Sequence, residues 1–454
     1  MSELVIQLRD RLPAEVLATD PDVMLAYTRD RAEFCEAGLP AAVVLPRTVA
    51  QVQEAVRVAY ELRVPIVTQG ARTGLSGGAN ASDGCMVLSL VEMDRILEID
   101  TVDRIAVVEA GVVNADLTRA VNKLGLHYPP DPSSWEECTI GGNIATGAGG
   151  LCCVKYGVTA EYVLGLDIVL ADGRLMSTGR RTAKGVAGYD LTKLFVGSEG
   201  SLGIVVQATL GLRPLPPRQL VLAAEFGSAD AACDAVCRIM ERGHTPALLE
   251  LMDRVTISAI NRVAAMELPK TTEALLLAAS DGPDAAADLA AYGLLCTEAG
   301  AIAVTCADDA AESEMLLQAR RLAHAGMTSM GSILVDDVTV PRSRLADLIA
   351  GVAAIADKNQ LVVGVSAHAG DGNTHPVIVF DKSDPDESRR AQDAFAAIMF
   401  LGLKLGGTIT GEHGVGILKK EWLAREIADL GVEMQRKVKH AFDPHGILNP
   451  GKLF

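Results

Sequence analysis

Gly70-Ala-Arg-Thr-Gly-Leu-Ser-Gly-Gly78 follows a short apolar run at residues 64–68 that reads as a strand. Glycines here let backbone amides turn inward, because they adopt positive φ and carry no Cβ to block the approach of a diphosphate. The loop is not the Rossmann fingerprint, since its glycine spacing differs and no helix begins inside it. Just upstream, an apolar run at 41–45, Thr48 as an N-cap and a helix-period stretch to Glu61 complete a β-α-β opening. Two further segments extend the theme. Pro129-Pro-Asp-Pro-Ser-Ser134 leads into Thr139-Ile-Gly-Gly-Asn-Ile-Ala-Thr-Gly-Ala-Gly-Gly150, and Lys184-Gly-Val-Ala-Gly-Tyr-Asp-Leu-Thr-Lys-Leu-Phe-Val-Gly-Ser-Glu-Gly-Ser-Leu-Gly-Ile204 follows.

Outward from these loops, residues 1–36 are charged and helical in pattern. Strand-like runs recur at 86–90, 105–109, 163–170 and 203–210. Arg213-Pro-Leu-Pro-Pro-Arg218 breaks helix and central strand alike and marks a domain boundary. Beyond it the order is strand 219–226, helix 229–241, strand 247–252, a short helix, strand 274–279, helix 285–298 and strand 301–305. That is the split β-α-β order of ferredoxin-like domains. A third group has strand 333–340, helix 343–356, strands 361–366 and 376–380, and helix 388–405.

The inner strands of this group flank His-Ala-Gly-Asp-Gly-Asn-Thr-His (368–375), and Gly-Glu-His-Gly (411–414) lies about forty residues on. Gly370, Asp371, Gly372 and Asn373 predict a tight loop that brings His368 and His375 to one edge. Two imidazoles and the Glu412 carboxylate suit zinc, and also manganese or ferrous iron, while His413 is left to move a proton. Such a cluster, joined to glycine-rich loops, reads as a redox enzyme in which a metal holds the substrate and a bound cofactor takes the electrons. The alternative from another class is a metal hydrolase with His413 as base, which would leave the glycine-rich half without a cofactor.

The chain has 454 residues, enough for two or three domains, and two are expected. A formal charge of −17 repels phosphate backbones and anionic headgroups, so nucleic acid is excluded as a partner. A small anionic substrate is still allowed, because arginines and a metal reverse the sign inside a cleft. The N-terminus has neither a signal-peptide nor a transit-peptide pattern, and no apolar run is long enough to span a membrane. Nine scattered cysteines, two of them adjacent at Cys152 and Cys153, read as reduced thiols. The expectation is a cytoplasmic protein, with any contact at the inner membrane peripheral. No Cys-x-x-Cys run offers an iron-sulfur cluster, so electrons must leave to something else.

Together these motifs resemble the flavin-binding domain of the vanillyl-alcohol oxidase and p-cresol methylhydroxylase superfamily. The C-terminal motifs narrow the resemblance to FAD-linked D-2-hydroxy-acid dehydrogenases: glycolate oxidase flavin subunits, D-lactate dehydrogenases and D-2-hydroxyglutarate dehydrogenases. It runs from Pro40 to Lys452. The implied fold is α+β, with a helical lead-in (1–36), a two-part FAD-binding domain of the p-cresol methylhydroxylase type (37–216), a ferredoxin-like substrate- and metal-binding cap (217–425) and a helical return to the flavin (426–454).

The resemblance implies that Gly70, Ala71, Arg72, Thr73, Gly74, Gly77 and Gly78 hold the FAD pyrophosphate. Pro130, Asp131, Thr139, Gly141, Gly142, Asn143 and Gly149 surround flavin and diphosphate, Gly203, Ile204 and Val205 meet the adenosine side, and Asn449 lies in the returning turn. Relatives commonly show Arg-Gly-Ala-Gly-Thr where this chain has Gln69-Gly-Ala-Arg72-Thr, which displaces one basic side chain. No histidine stands where covalent members attach the flavin, so FAD is expected to be non-covalent. His368, His375 and Glu412 would bind the metal, His413 would be the base, Arg320 would grip the substrate carboxylate and Asn373 would orient substrate or loop.

Where relatives acting on 2-hydroxyglutarate carry a lysine, this chain has Val335, followed by two acids, so the expected substrate is short: D-lactate or glycolate. The implied acceptor is a quinone, a cytochrome or an electron-transfer flavoprotein. A homodimer, or a place as flavin subunit in a larger glycolate oxidase, also fits the resemblance.

Overall fold

The computed structural model describes residues 2–182, 184–264, 271–307 and 309–454. Packing divides the chain into two compact units: residues 1–149, 158–215 and 412–454 in the first, and 150–157 with 216–411 in the second. The expected 1–36 lead-in is part of the first unit, and its helices are short, Glu3–Arg11 and Pro21–Leu25. The C-terminal return also begins earlier than expected, at Glu412 rather than 426.

In the first unit, strands Ala42–Val44, Met86–Ser89 and Ile66–Gln69 run parallel, with Leu17–Ala18 antiparallel at the edge. Thr48 caps the helix Val49–Leu62 by accepting from Gln51 N–H, as its position before the apolar period foretells. That helix buries Val52, Ala55, Val56 and Ala59 against Ile66, Met86 and Leu88. A second, five-stranded sheet is antiparallel, in the order Ile96–Asp100, Ile105–Glu109, Ile204–Gly211, Val163–Val169, Leu175–Gly179. Its two outer strands are short and partly polar, which is why the sequence pattern missed them. The C-terminal segment closes the unit, because Leu448 sits beside Ile66 and Phe442 packs edge-on against Phe195 at 5.2 Å.

The second unit is built on one sheet: Ala301–Cys306, Leu220–Phe226, Ala274–Ser280, Leu248–Asp253, Val362–His368, Asn373–Phe380 and Ser332–Val335, with Val338–Thr339 also paired to Asn373–Phe380. Every pairing is antiparallel. The first four strands have the ferredoxin-like order expected from sequence. The third group of elements is not a separate body; its hairpin adds to the edge at Leu248–Asp253. The expected single strand 333–340 is interrupted at Asp336 and Asp337, both 0% exposed.

Residues 150–157 leave the glycine-rich segment to join this unit. Val154 packs so close to the turn after His368 that a Cβ at Gly370 would lie 2.5 Å from it, and Lys155 and Tyr156 both bond Asp281.

Candidate active site

The hairpin strands are longer than expected, so His368, Asn373 and His375 lie on strands rather than in the loop between them. Gly372 makes the turn at φ +85, a conformation glycine adopts without strain. Register then decides what meets what, since directly opposed residues share a face. Glu250 opposes His368, His368 opposes Asn373 and Asn373 opposes Thr339, forming one row across four strands. The neighbouring row contains Met252, Ser366 and His375, and the constant register brings Asp337 opposite His375.

On this face His368 Nδ1 is 2.7 Å from Glu250 Oε1, and Arg320 Nε donates to Glu250 Oε2 at 2.7 Å. Burial would raise the Glu250 carboxyl, but His368 and Arg320 outweigh it and hold the pKa below the usual carboxylate value. An Nδ1–H donated to Glu250 turns the Nε2 lone pair of His368 outward, the arrangement that prepares an imidazole for a metal. The His375 ring lies 5.0 Å from that of His368, edge to face. Asp337 stands beside it, Oδ1 3.9 Å from His375 Nδ1, while Asp337 Oδ2 accepts from Thr410 Oγ1 and from Gly411 N–H. Asn373 Oδ1 accepts from Thr339 Oγ1 at 3.1 Å.

Sequence reasoning missed Glu250. The signal for Glu250 was a lone acid in the otherwise apolar run Leu248-Leu-Glu-Leu-Met252, since a buried carboxylate needs a partner. Asp336 and Asp337, the two acids that follow Val335, are buried, and Asp337 is engaged by the segment that leads to Glu412. Val335 borders the apolar cluster of Ala259, Met327 and Val377. Arg344 pairs with Asp347 at a helix start, and Arg342 is exposed.

Gly411 ends the second unit, and Glu412 and His413 follow it in the chain as part of the first. There Ser76 Oγ donates to His413 O, and Glu412 Oε1 is 3.7 Å from His413 Nε2. The glycine loop beside Ser76 has the character a pyrophosphate requires. Among the described residues, the amides of Ala71, Arg72, Thr73, Gly74, Leu75 and Ser76 meet no protein acceptor.

Arg72, at φ +58, sets its guanidinium 4.6 Å from the Tyr27 ring, which settles the direction of the displaced basic side chain. Gly70 lies against Thr139, whose Oγ1 would sit 2.2 Å from a Cβ there, and Thr139 caps Ile140–Thr146 by accepting from Gly142 N–H. Gly141 is pressed against Ala110 and donates to its carbonyl, and Asn143 is buried. Pro130 O accepts from Asn114.

Asn449 Nδ2 donates to Gly78 O and Glu199 O, while its buried Oδ1 meets no partner among the described residues. Gly77 packs on Cys35, and Gly203 on Ile168 and Phe195. Ile204 is buried in one apolar cluster and Val205 packs, partly buried, against another.

Residues 40–179 match the family model of the FAD binding domain, and residues 215–453 match that of the C-terminal domain of FAD linked oxidases. The glycolate oxidase subunit GlcD of Bacillus subtilis is 42% identical over 92% of this chain and 89% of its own length. The probable mitochondrial D-lactate dehydrogenase of Danio rerio is 34% identical over 91% of this chain and 84% of its own. The crystal structure of p-cresol methylhydroxylase with substrate bound superposes with a TM-score of 0.83, covering 99% of this chain and 96% of that one at 20% identity, so it speaks for the fold.

The hydrolase alternative is thereby set aside. No helix among the described residues is long and apolar enough to cross a membrane. The chain belongs to the FAD-linked 2-hydroxy-acid dehydrogenase family and is an FAD-dependent oxidoreductase.

Proposed function

We propose that this enzyme oxidises a short D-2-hydroxy acid, D-lactate or glycolate, to the 2-oxo acid, using non-covalent FAD and a divalent metal. The observation that carries the metal is Glu250, which orients His368 and Arg320 together from one buried carboxylate. His368 and His375 supply imidazole nitrogen and Glu412, one residue past Gly411, supplies oxygen, a donor set suited to zinc and also to manganese or iron. Such an ion would supply Lewis acidity toward the bound substrate. Arg320 presents its terminal nitrogens to the carboxylate while its Nε stays on Glu250. His413 takes the hydroxyl proton on a ring nitrogen as C2 gives up its hydride. FAD, when bound, supplies the hydride acceptor at N5.

The short substrate is favoured by Val335, which stands against the apolar Ala259, Met327 and Val377. Relatives named as glycolate oxidase subunits favour a partner subunit, quinone, cytochrome or electron-transfer flavoprotein as the electron outlet. The test is kcat/KM for D-lactate, glycolate and D-2-hydroxyglutarate with an artificial acceptor. A clear advantage for the dicarboxylate would overturn the substrate while leaving the cofactor chemistry standing.

A further inference from the structure

Glu199 is a buried carboxylate for which this chemistry has no direct use. Its backbone is in the left-handed region, at φ +51, which is costly for a residue with a Cβ. The surroundings over-determine it. Its N–H donates to Ala145 O at 2.8 Å and its carbonyl accepts from Asn449 Nδ2 at 2.6 Å, so a flavin-loop helix and the C-terminal turn hold the main chain.

The carboxylate then turns to the segment after His413. Oε1 accepts from Val415 N–H at 2.7 Å and Oε2 from Gly416 N–H at 2.9 Å. Two glycines make the room: a Cβ at Gly414 would lie 2.9 Å from Oε1, and one at Gly78 would lie 3.2 Å from Oε2. Ser76 completes the clamp, donating to His413 O at 2.8 Å and accepting at its own carbonyl from Ile417 N–H and Leu418 N–H.

We propose that Glu199 is a positioning residue for the reaction, fixing through the amides of Val415 and Gly416 the loop that aims the His413 imidazole. The proposal rests on the reading of His413 as the base. A carboxylate suits the role because each oxygen can accept one N–H, whereas a carboxamide offers one acceptor and turns an NH₂ toward the other amide. Burial pushes the carboxyl up to about 7 against the pull of those two amides, and the charged groups facing it are Asp30, Lys419 and Lys452. Protonation exchanges one acceptor for a donor and loosens the same loop.

The experiment compares the full-length FAD-loaded wild type with Glu199→Gln and His413→Asn. Glu199→Gln should retain its flavin absorbance and KM. It should reduce flavin roughly 10- to 100-fold more slowly, the scale of a misplaced group. Amide exchange at residues 413–418 should quicken, and the part of the pH–rate profile that Glu199 contributes should disappear. His413→Asn should slow reduction without quickening that exchange.

An unchanged rate and pH slope in Glu199→Gln, beside a slow His413→Asn, overturns the positioning role alone. A His413→Asn enzyme as fast as wild type removes the base, and this proposal with it. If Glu199→Gln does not fold with FAD, Glu199→Asp decides by the same readings, since one methylene less leaves reach for one amide at most.

Discussion

Replacing Glu250 with glutamine changes no volume and removes one charge from a side chain that is 0% exposed. In the wild type the carboxylate accepts two hydrogen bonds of 2.7 Å, one from Arg320 and one from His368. Its pKa lies below the ordinary value, so at neutral pH it is ionised and both bonds are charge-assisted. Glutamine keeps one acceptor and turns an NH₂ against the other partner, so one bond of about 1.5–3 kcal/mol is lost. The loss falls on the orientation of two groups.

If His368 loses its carboxylate, metal affinity should fall about 10- to 100-fold, and if Arg320 loses its anchor, KM for the hydroxy acid should rise. The assay titrates metal into chelator-stripped, FAD-loaded enzyme and follows flavin reduction at several substrate concentrations. Unchanged metal half-saturation and unchanged KM in folded Glu250→Gln protein would refute the claim that this carboxylate organises the site.

Val335→Lys should raise the ratio of kcat/KM for D-2-hydroxyglutarate over D-lactate about tenfold or more, a gain of about 1.4 kcal/mol; an unaltered ratio would separate Val335 from substrate choice. Arg72→Ala should weaken FAD binding several-fold, measured by flavin fluorescence on dilution, because the loop keeps its amides and loses its cation; undiminished affinity would confine Arg72 to its stack on Tyr27. Asp253 caps the helix Arg254–Val263 and burial pushes its carboxyl up to about 6 from 3.8. A raised folded pKa stabilises fully below about pH 4 and is lost as pH rises through 6, a swing of about 3 kcal/mol. Asp253→Asn, which still caps, should therefore gain about that much on the wild type between pH 4 and pH 7 in denaturant titrations, and a constant difference would contradict the shift.

What was legible in the sequence was local. Thr48 announces a helix start by standing before its apolar period, and it caps as expected. The ferredoxin-like order was readable because strands and helices alternate without interruption from Leu220 to Cys306. The histidine pair was legible through the glycines between them, although strand pairing extends through His368 and Asn373 and shortens the turn.

The partners that give those histidines their chemistry were not legible, because they are distant in the chain. Glu250 is 118 residues from His368, to which sheet register joins it, and 70 from Arg320, which comes from the helix Ala310–Thr328. Asp336 and Asp337 interrupt what the apolar pattern extends as one strand, since the buried carboxylate of Asp337 is paid for by Thr410 and Gly411, 73 and 74 residues on. Nor does composition show that residues 150–157 leave the glycine-rich segment for the other unit.

The central claim is that metal held by the histidine hairpin is required for hydride to leave a short D-2-hydroxy acid. It is tested most directly by mixing D-lactate anaerobically with FAD-loaded enzyme, metal-stripped and metal-restored, and following flavin bleaching. The account predicts bleaching only in the restored sample, with equal flavin absorbance in both before mixing. Equally fast bleaching in protein shown to be metal-free would contradict it.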